Sequence, residues 1–172
     1  MLISDEYRRQ NAWLHILKAS YGTGGKQWAE KVRNLMDRYQ TVDVLDYGCG
    51  KGTLRQALGI NVKEYDPAVP GKEERPRPAD LVVCTDVLEH IEPECLDEVL
   101  DDIQSLTRRA AFFTVCTRPA QKQLPDGRNA HLIVEPPRWW ISRIKPRFHI
   151  VEVDLKSKDD VVALTCEPKE KV

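Results

Sequence analysis

Three features of this 172-residue chain predict an α/β sandwich built on a mostly parallel sheet. Short apolar runs alternate with stretches of helical period, the pattern of βαβ units. One run, Val44-Leu45-Asp46-Tyr47, passes straight into a glycine turn, Gly48-Cys49-Gly50-Lys51-Gly52, and then into a helix. A third run, Ala79–Thr85, is almost wholly apolar, as expected of a strand covered on both faces.

The elements follow in order. Asp5–Ser20 reads as a helix with Trp13, Leu14 and Leu17 on one face, broken at Tyr21–Gly25. Trp28, Val32, Leu35, Met36 and Tyr39 form the stripe of a second helix. Thr41–Tyr47 is the first strand, Thr53–Leu58 a short helix and Asn61–Tyr65 the second strand, ending at Asp66. Four prolines make Pro67–Pro78 a loop before the strand Ala79–Thr85. A helix resumes near Pro93, with Leu96, Val99, Leu100, Ile103 and Leu106 inward. Its acids, Glu92 to Asp102, read as a solvated face that complements the helix N-terminus. Ala110–Thr117 is the fourth strand and Arg118–Val134 a polar loop; Pro136-Pro137 opens a helix through Trp139, Trp140 and Ile144. Phe148–Leu155 and Val161–Cys166 are strands joined as a hairpin through Lys156–Asp160.

Bulk properties narrow the function. The length fits a single domain over residues 1–172 with a core of useful size. A net charge of −1 gives no global attraction to nucleic acid or anionic lipid. No apolar run approaches a membrane span, and Met1–Gln10 lacks the apolar centre of a secretory signal. Five scattered cysteines form neither a C-x-x-C pair nor an even set, against a disulfide framework or a zinc site. A reduced, cytoplasmic protein with no membrane partner is expected.

The turn proposes a cofactor site, because backbone N–H groups there can approach a ligand at the carboxyl end of a strand. Its spacing is G-x-G-x-G, unlike the G-x-G-x-x-G of dinucleotide folds or the G-x-x-x-x-G-K-[ST] of P-loops. The stretch resembles motif I of class I S-adenosylmethionine (SAM)-dependent methyltransferases. Asp80-Leu81-Val82-Val83-Cys84-Thr85-Asp86-Val87-Leu88-Glu89-His90 resembles their motif IV, D-x-V-x-x-x-x-V-L-E-H. Two motifs in the right order, with Asp66 between them, are more specific than either alone.

The resemblance implies a Rossmann-like three-layer sandwich closed by an antiparallel C-terminal hairpin. Residues 41–166 would form the SAM-binding core and residues 1–40 an added helical cap. It implies SAM as cofactor: Asp46, Gly48, Cys49 and Gly50 at its amino-acid end, Asp66 at its ribose, Thr85 and Asp86 near the sulfonium or adenine. Lys51 reads as a solvated turn lysine or as a partner for the amino-acid carboxylate. Only twelve residues separate Asp66 from Ala79, where the family places a helix, its third strand and another helix. That strand is expected to be absent, with Trp13, Tyr21 and Trp28 covering the gap and Gly22, Gly24 and Gly25 as a hinge.

The acceptor side is read from the fourth strand onward. Arg118–His149 holds seven Lys or Arg against Asp126 and Glu135, which suits an anionic acceptor. Arg118, Arg128 and His131 are the expected substrate-binding residues, and His131 and His90 the candidate catalytic bases. A small-molecule acceptor methylated on oxygen or nitrogen is expected. The alternatives are a nucleic-acid end, methylated with a divalent metal on Asp86, Glu89, His90 and His131, and a non-catalytic SAM-binding subunit. The adopted reading assigns no metal ligand and leaves Glu89 and His90 to start a helix and shape the pocket. Thr85-Asp86-Val87-Leu88 stands where nucleobase amino-methyltransferases carry [DNS]-P-P-[YFW], and no Pro-Cys pair exists for cytosine C5 chemistry.

Overall fold

The computed structural model describes residues 1–156 and 160–170. Its helices are α1 (Asp5–Leu17), α2 (Ala29–Tyr39), α3 (Thr53–Leu58), α4 (Leu96–Leu106) and α5 (Pro137–Ile144). Its strands are β1 (Val44–Tyr47), β2 (Lys63–Tyr65), β3 (Ala79–Thr85), β4 (Thr107–Cys116), β5 (Phe148–Lys156) and β6 (Val161–Pro168). They form one sheet of order β2-β1-β3-β4-β6-β5. The pairs β1–β2, β1–β3 and β3–β4 are parallel; β6 inserts antiparallel between β4 and β5. Among the described residues the sheet therefore ends at β2, with no strand beyond it, as the short Asp66–Ala79 spacing predicts.

Alternation along the strands builds two cores. Val82 and Cys84 of β3 face one side, where α4 and α5 bring Leu96, Leu100, Ile103, Trp140 and Ile144. Leu81 and Val83 face the other, against Val32 and Leu35 of α2 and Leu54 and Leu58 of α3. Of the segment expected as a cap, only α1 lies apart from these layers; α2 is one of them. Tyr7, Leu14 and Tyr21 instead form a third, smaller cluster with Leu124.

Local chemistry sets the boundaries. The Ser4 hydroxyl accepts from the Tyr7 N–H and caps α1, which stops at Leu17 rather than Ser20. Gly24–Trp28 forms a 3₁₀ turn ahead of α2, and Gln40 ends α2 in the left-handed region. β1 starts at Val44 rather than Thr41; Val42 is exposed. The predicted turn at Lys156–Asp160 falls on Ser157, Lys158 and Asp159, outside the described residues.

The acids of α4 lie on an exposed face, as expected, and that face also carries ion pairs. Asp97 pairs with Arg143 at 2.6 Å, and Asp97 and Asp101 hold Arg147, tying α4 to α5. Asp102 accepts from Arg75 and from the Tyr47 hydroxyl. Two of the seven Lys and Arg of the segment Arg118–His149, Arg143 and Arg147, are thereby spent in helix pairing.

The N-terminal segment locks onto the glycine turn. The Lys51 N–H donates to the Gly22 carbonyl at 2.9 Å, and Lys51 Nζ donates to the carbonyls of Lys18 and Ala19 beyond α1. Lys51 is thus neither free in solvent nor facing the cavity. Gly50, at φ +50°, would place a Cβ 2.7 Å from the Gly22 backbone. Gly50→Ala is expected to cost about 2–3 kcal/mol, from left-handed strain plus a backbone clash. Urea unfolding checks this, and a loss below about 0.5 kcal/mol would contradict the packing.

Candidate functional site

The carboxyl ends of β1, β3 and β4 open on a cavity of about 670 Å³. Asp46, Gly48 and Cys49 line it from the turn, Thr85 and Asp86 from β3, Cys116 and Arg118 from β4, and His90 and His131 from the loops. Ser20 to Gly25, Gln27 and Trp28 close the N-terminal side. A second space of about 100 Å³ lies beyond the turn and is lined by Gly50, Asp66 and residues of α1.

β2 fixes the turn. The N–H groups of Gly48 and Cys49 both donate to the Tyr65 carbonyl, and the Gly50 N–H donates to Asp66 Oδ2 at 3.0 Å. The other Asp66 oxygen accepts from Ala68 N–H. Asp46 is 3 % exposed at the end of β1. Burial, reinforced by Glu64 and Asp66 and opposed by Lys72, pushes its carboxyl up to about 7. A buried carboxylate facing a cavity suits a ligand ammonium, which would restore its charge.

Asp86 sits at φ +54°, a left-handed conformation that Asp tolerates better than most residues. Its N–H donates to the Thr114 carbonyl on β4 at 3.1 Å. The twist turns its carboxylate into the cavity, and burial raises its pKa.

The two histidines meet edge to face, with ring centroids 4.7 Å apart. His90 Nδ1 lies 2.7 Å from the Ala130 carbonyl and His131 Nδ1 2.6 Å from the Arg118 carbonyl. A carbonyl only accepts, so each Nδ1 carries the proton and each neutral ring keeps Nε2 as an acceptor. Burial, with His131 beside it, drives His90 down to about 3. His131 is lowered mainly by burial, with Asp86 pulling the other way. Both rings are neutral near pH 7 and His131 is the stronger base.

Glu89 faces away from both cavities. It is fully buried, one oxygen accepts from Cys116 N–H at 2.7 Å, and burial pushes it up to about 8. It clamps the turn after β3 to the end of β4. Among the described residues no group of three or more His, Cys, Asp or Glu could hold a metal ion.

Arg128 does not reach the cavity: it pairs with Asp126 at 2.7 Å and lies over the Tyr7 ring. Arg118 does line it, as does Lys122, which sequence reading left among the general positive charge. Lys122 Nζ sits 5.6 Å from the Tyr21 ring centre and donates to the Ser20 carbonyl. Tyr7, Asn11 and His15 were also unmarked in the sequence. The Tyr7 hydroxyl donates to the His90 carbonyl, Tyr21 donates to Asn11 at 2.6 Å, and Ser4 binds Glu92 through both its N–H and its hydroxyl.

The sheet, with β6 inserted antiparallel, is that of the class I SAM-dependent methyltransferase fold short of one edge strand. A family model described as a methyltransferase domain matches residues 13–150, and the chain belongs to that family. No curated protein sequence matches it. Among solved structures, the complex of DhpI with S-adenosylhomocysteine (SAH) is similar at TM-score 0.66 and 15 % identity, covering 96 % of this chain and 98 % of that one. The N-methyltransferase NodS from Bradyrhizobium japonicum, also with SAH, is similar at TM-score 0.59 and 13 % identity, covering 95 % and 100 %. The 1,6-didemethyltoxoflavin N1-methyltransferase of Burkholderia thailandensis is similar at TM-score 0.62 and 15 % identity, covering 86 % and 80 %. No helix among the described residues is long and apolar enough to cross a membrane.

Asp46 carries a stability signature. Its folded pKa, about 7, exceeds the ordinary 3.8, so its contribution is intact below about pH 4 and lost as pH rises through 7. The stability of Asp46→Asn relative to wild type is expected to rise by about 2–4 kcal/mol between pH 4 and pH 8. Urea titrations across that range measure it; a pH-independent difference would contradict the assigned burial.

Proposed function

We propose that this chain transfers a methyl group from SAM to an oxygen or nitrogen of a small anionic molecule. One observation carries the reading: a single cavity holds the buried Asp46 and the glycine turn at one end and His131, Arg118 and Lys122 at the other. The donor end fits its group. Asp46 offers a carboxylate that needs a cation, the turn offers backbone, and Asp66 keeps one lone pair on each oxygen after its two backbone bonds.

SAM supplies a methyl carbon made electrophilic by a positive sulfur. The chain's own task is alignment and exclusion of water. Arg118 and Lys122 bind the anionic part of the acceptor. His131 Nε2 would take the proton that the acceptor oxygen or nitrogen gives up on methylation. His90 supports the His131 ring and does not serve as a base, its basicity being too low. NodS and the toxoflavin enzyme are N-methyltransferases by name, in line with a small-molecule acceptor.

Tritiated SAM incubated with fractionated phosphorylated and carboxylated metabolites should label a small molecule. Label confined to nucleic acid or to protein would overturn the small-molecule reading. With that acceptor, His131→Ala should lower kcat by about 10²-fold while SAH affinity stays within about threefold. A drop in SAH affinity with kcat retained would place His131 on the donor instead.

A further inference from the structure

α1 lines the small space behind the glycine turn. His15 projects from α1 into the 100 Å³ space behind the turn, opposite Asp66, Pro67 and Ala68. Its Nε2 lies 3.9 Å from Asp66 Oδ2, too far for a direct hydrogen bond. Its Nδ1 is buried and finds no partner. Nε2 is the nitrogen that faces the carboxylate across this space, and the 3.9 Å gap between them leaves room for a shared hydroxyl in place of a direct bond. The ring is seated with care: a Cβ on Gly22 would come within 2.6 Å of it, and the Tyr21 ring packs on it edge to face at 4.8 Å. Burial keeps it neutral near pH 7, so it holds one donor and one acceptor.

We propose that His15 is a binding residue for the nucleoside of the methyl donor, sharing one ribose hydroxyl with Asp66. The hydroxyl donates to the Asp66 carboxylate and accepts from the imidazole N–H. The inference rests on the reading of this cavity as a SAM site. The hydroxyl lies between Nε2 and Asp66 Oδ2, which are 3.9 Å apart. The N-terminal helix thereby supplies the nucleoside contact that a longer sheet would take from its next strand.

Calorimetric titration of the full chain with SAH tests this in wild type, His15→Phe and His15→Gln, each checked for folding by its thermal transition. His15→Phe keeps the ring and the packing and should weaken SAH tenfold. His15→Gln restores a donor and an acceptor at similar reach and should return affinity to within threefold of wild type. A loss under fivefold in His15→Phe, or a failure of His15→Gln to recover, would overturn the assignment; the second outcome marks a packing role. Wild type that does not bind SAH at all would remove the SAM reading itself, a distinct result.

Discussion

Three backbones meet at the turn between β1 and α3, and the rest of the site depends on that meeting. The end of β2 accepts two N–H groups of the turn through Tyr65, Asp66 accepts a third, and the Gly22 carbonyl accepts the Lys51 N–H. Gly22 and Gly50 touch with no room for a side chain on either. Strand register, the position of Asp66 and the seat of α1 are therefore fixed by one small piece of chain. Lys51 strengthens the joint by holding the carbonyls that follow α1.

From that joint the chemistry is distributed along strand ends. β1 presents Asp46 from within the core, where burial makes its charge conditional on a partner. β3 presents Asp86 by a left-handed twist, and β4 presents Arg118, whose carbonyl in turn fixes the His131 tautomer. Main-chain carbonyls thus decide which nitrogens of His90 and His131 are free, so both rings are oriented by the fold rather than by other titratable groups. Ring contacts at 4.8, 5.9 and 4.7 Å join His15, Tyr21, His90 and His131 in sequence. This row of rings runs from α1 to the loop after β4.

What was legible in the sequence was local. The apolar run of β3, the stripe of α4 and the glycine turn announce themselves over short windows, and the Asp66–Ala79 spacing reveals a sheet that stops early. What was hidden depended on distant partners. Arg143 and Arg147 counted only toward a basic segment, because Asp97 and Asp101 reach them only when α4 and α5 pack. Arg128 looked free because a turn brings Asp126 back onto it. Tyr7, Asn11 and His15 carry no motif; their meaning comes from His90, Tyr21 and Asp66, far along the chain. β1 begins later than its hydrophobic pattern because Val42 lies exposed ahead of the sheet.

The way α1 is attached also orders events when the chain folds. Ser4 binds Glu92, 88 residues later, Gln10 binds Asp126, 116 residues later, and Lys122 reaches back 102 residues to Ser20. None of these bonds can form until β3, β4 and the loops after them are in place. The residues made first are thus among the last to find their seats, after the long loop closures that slow folding.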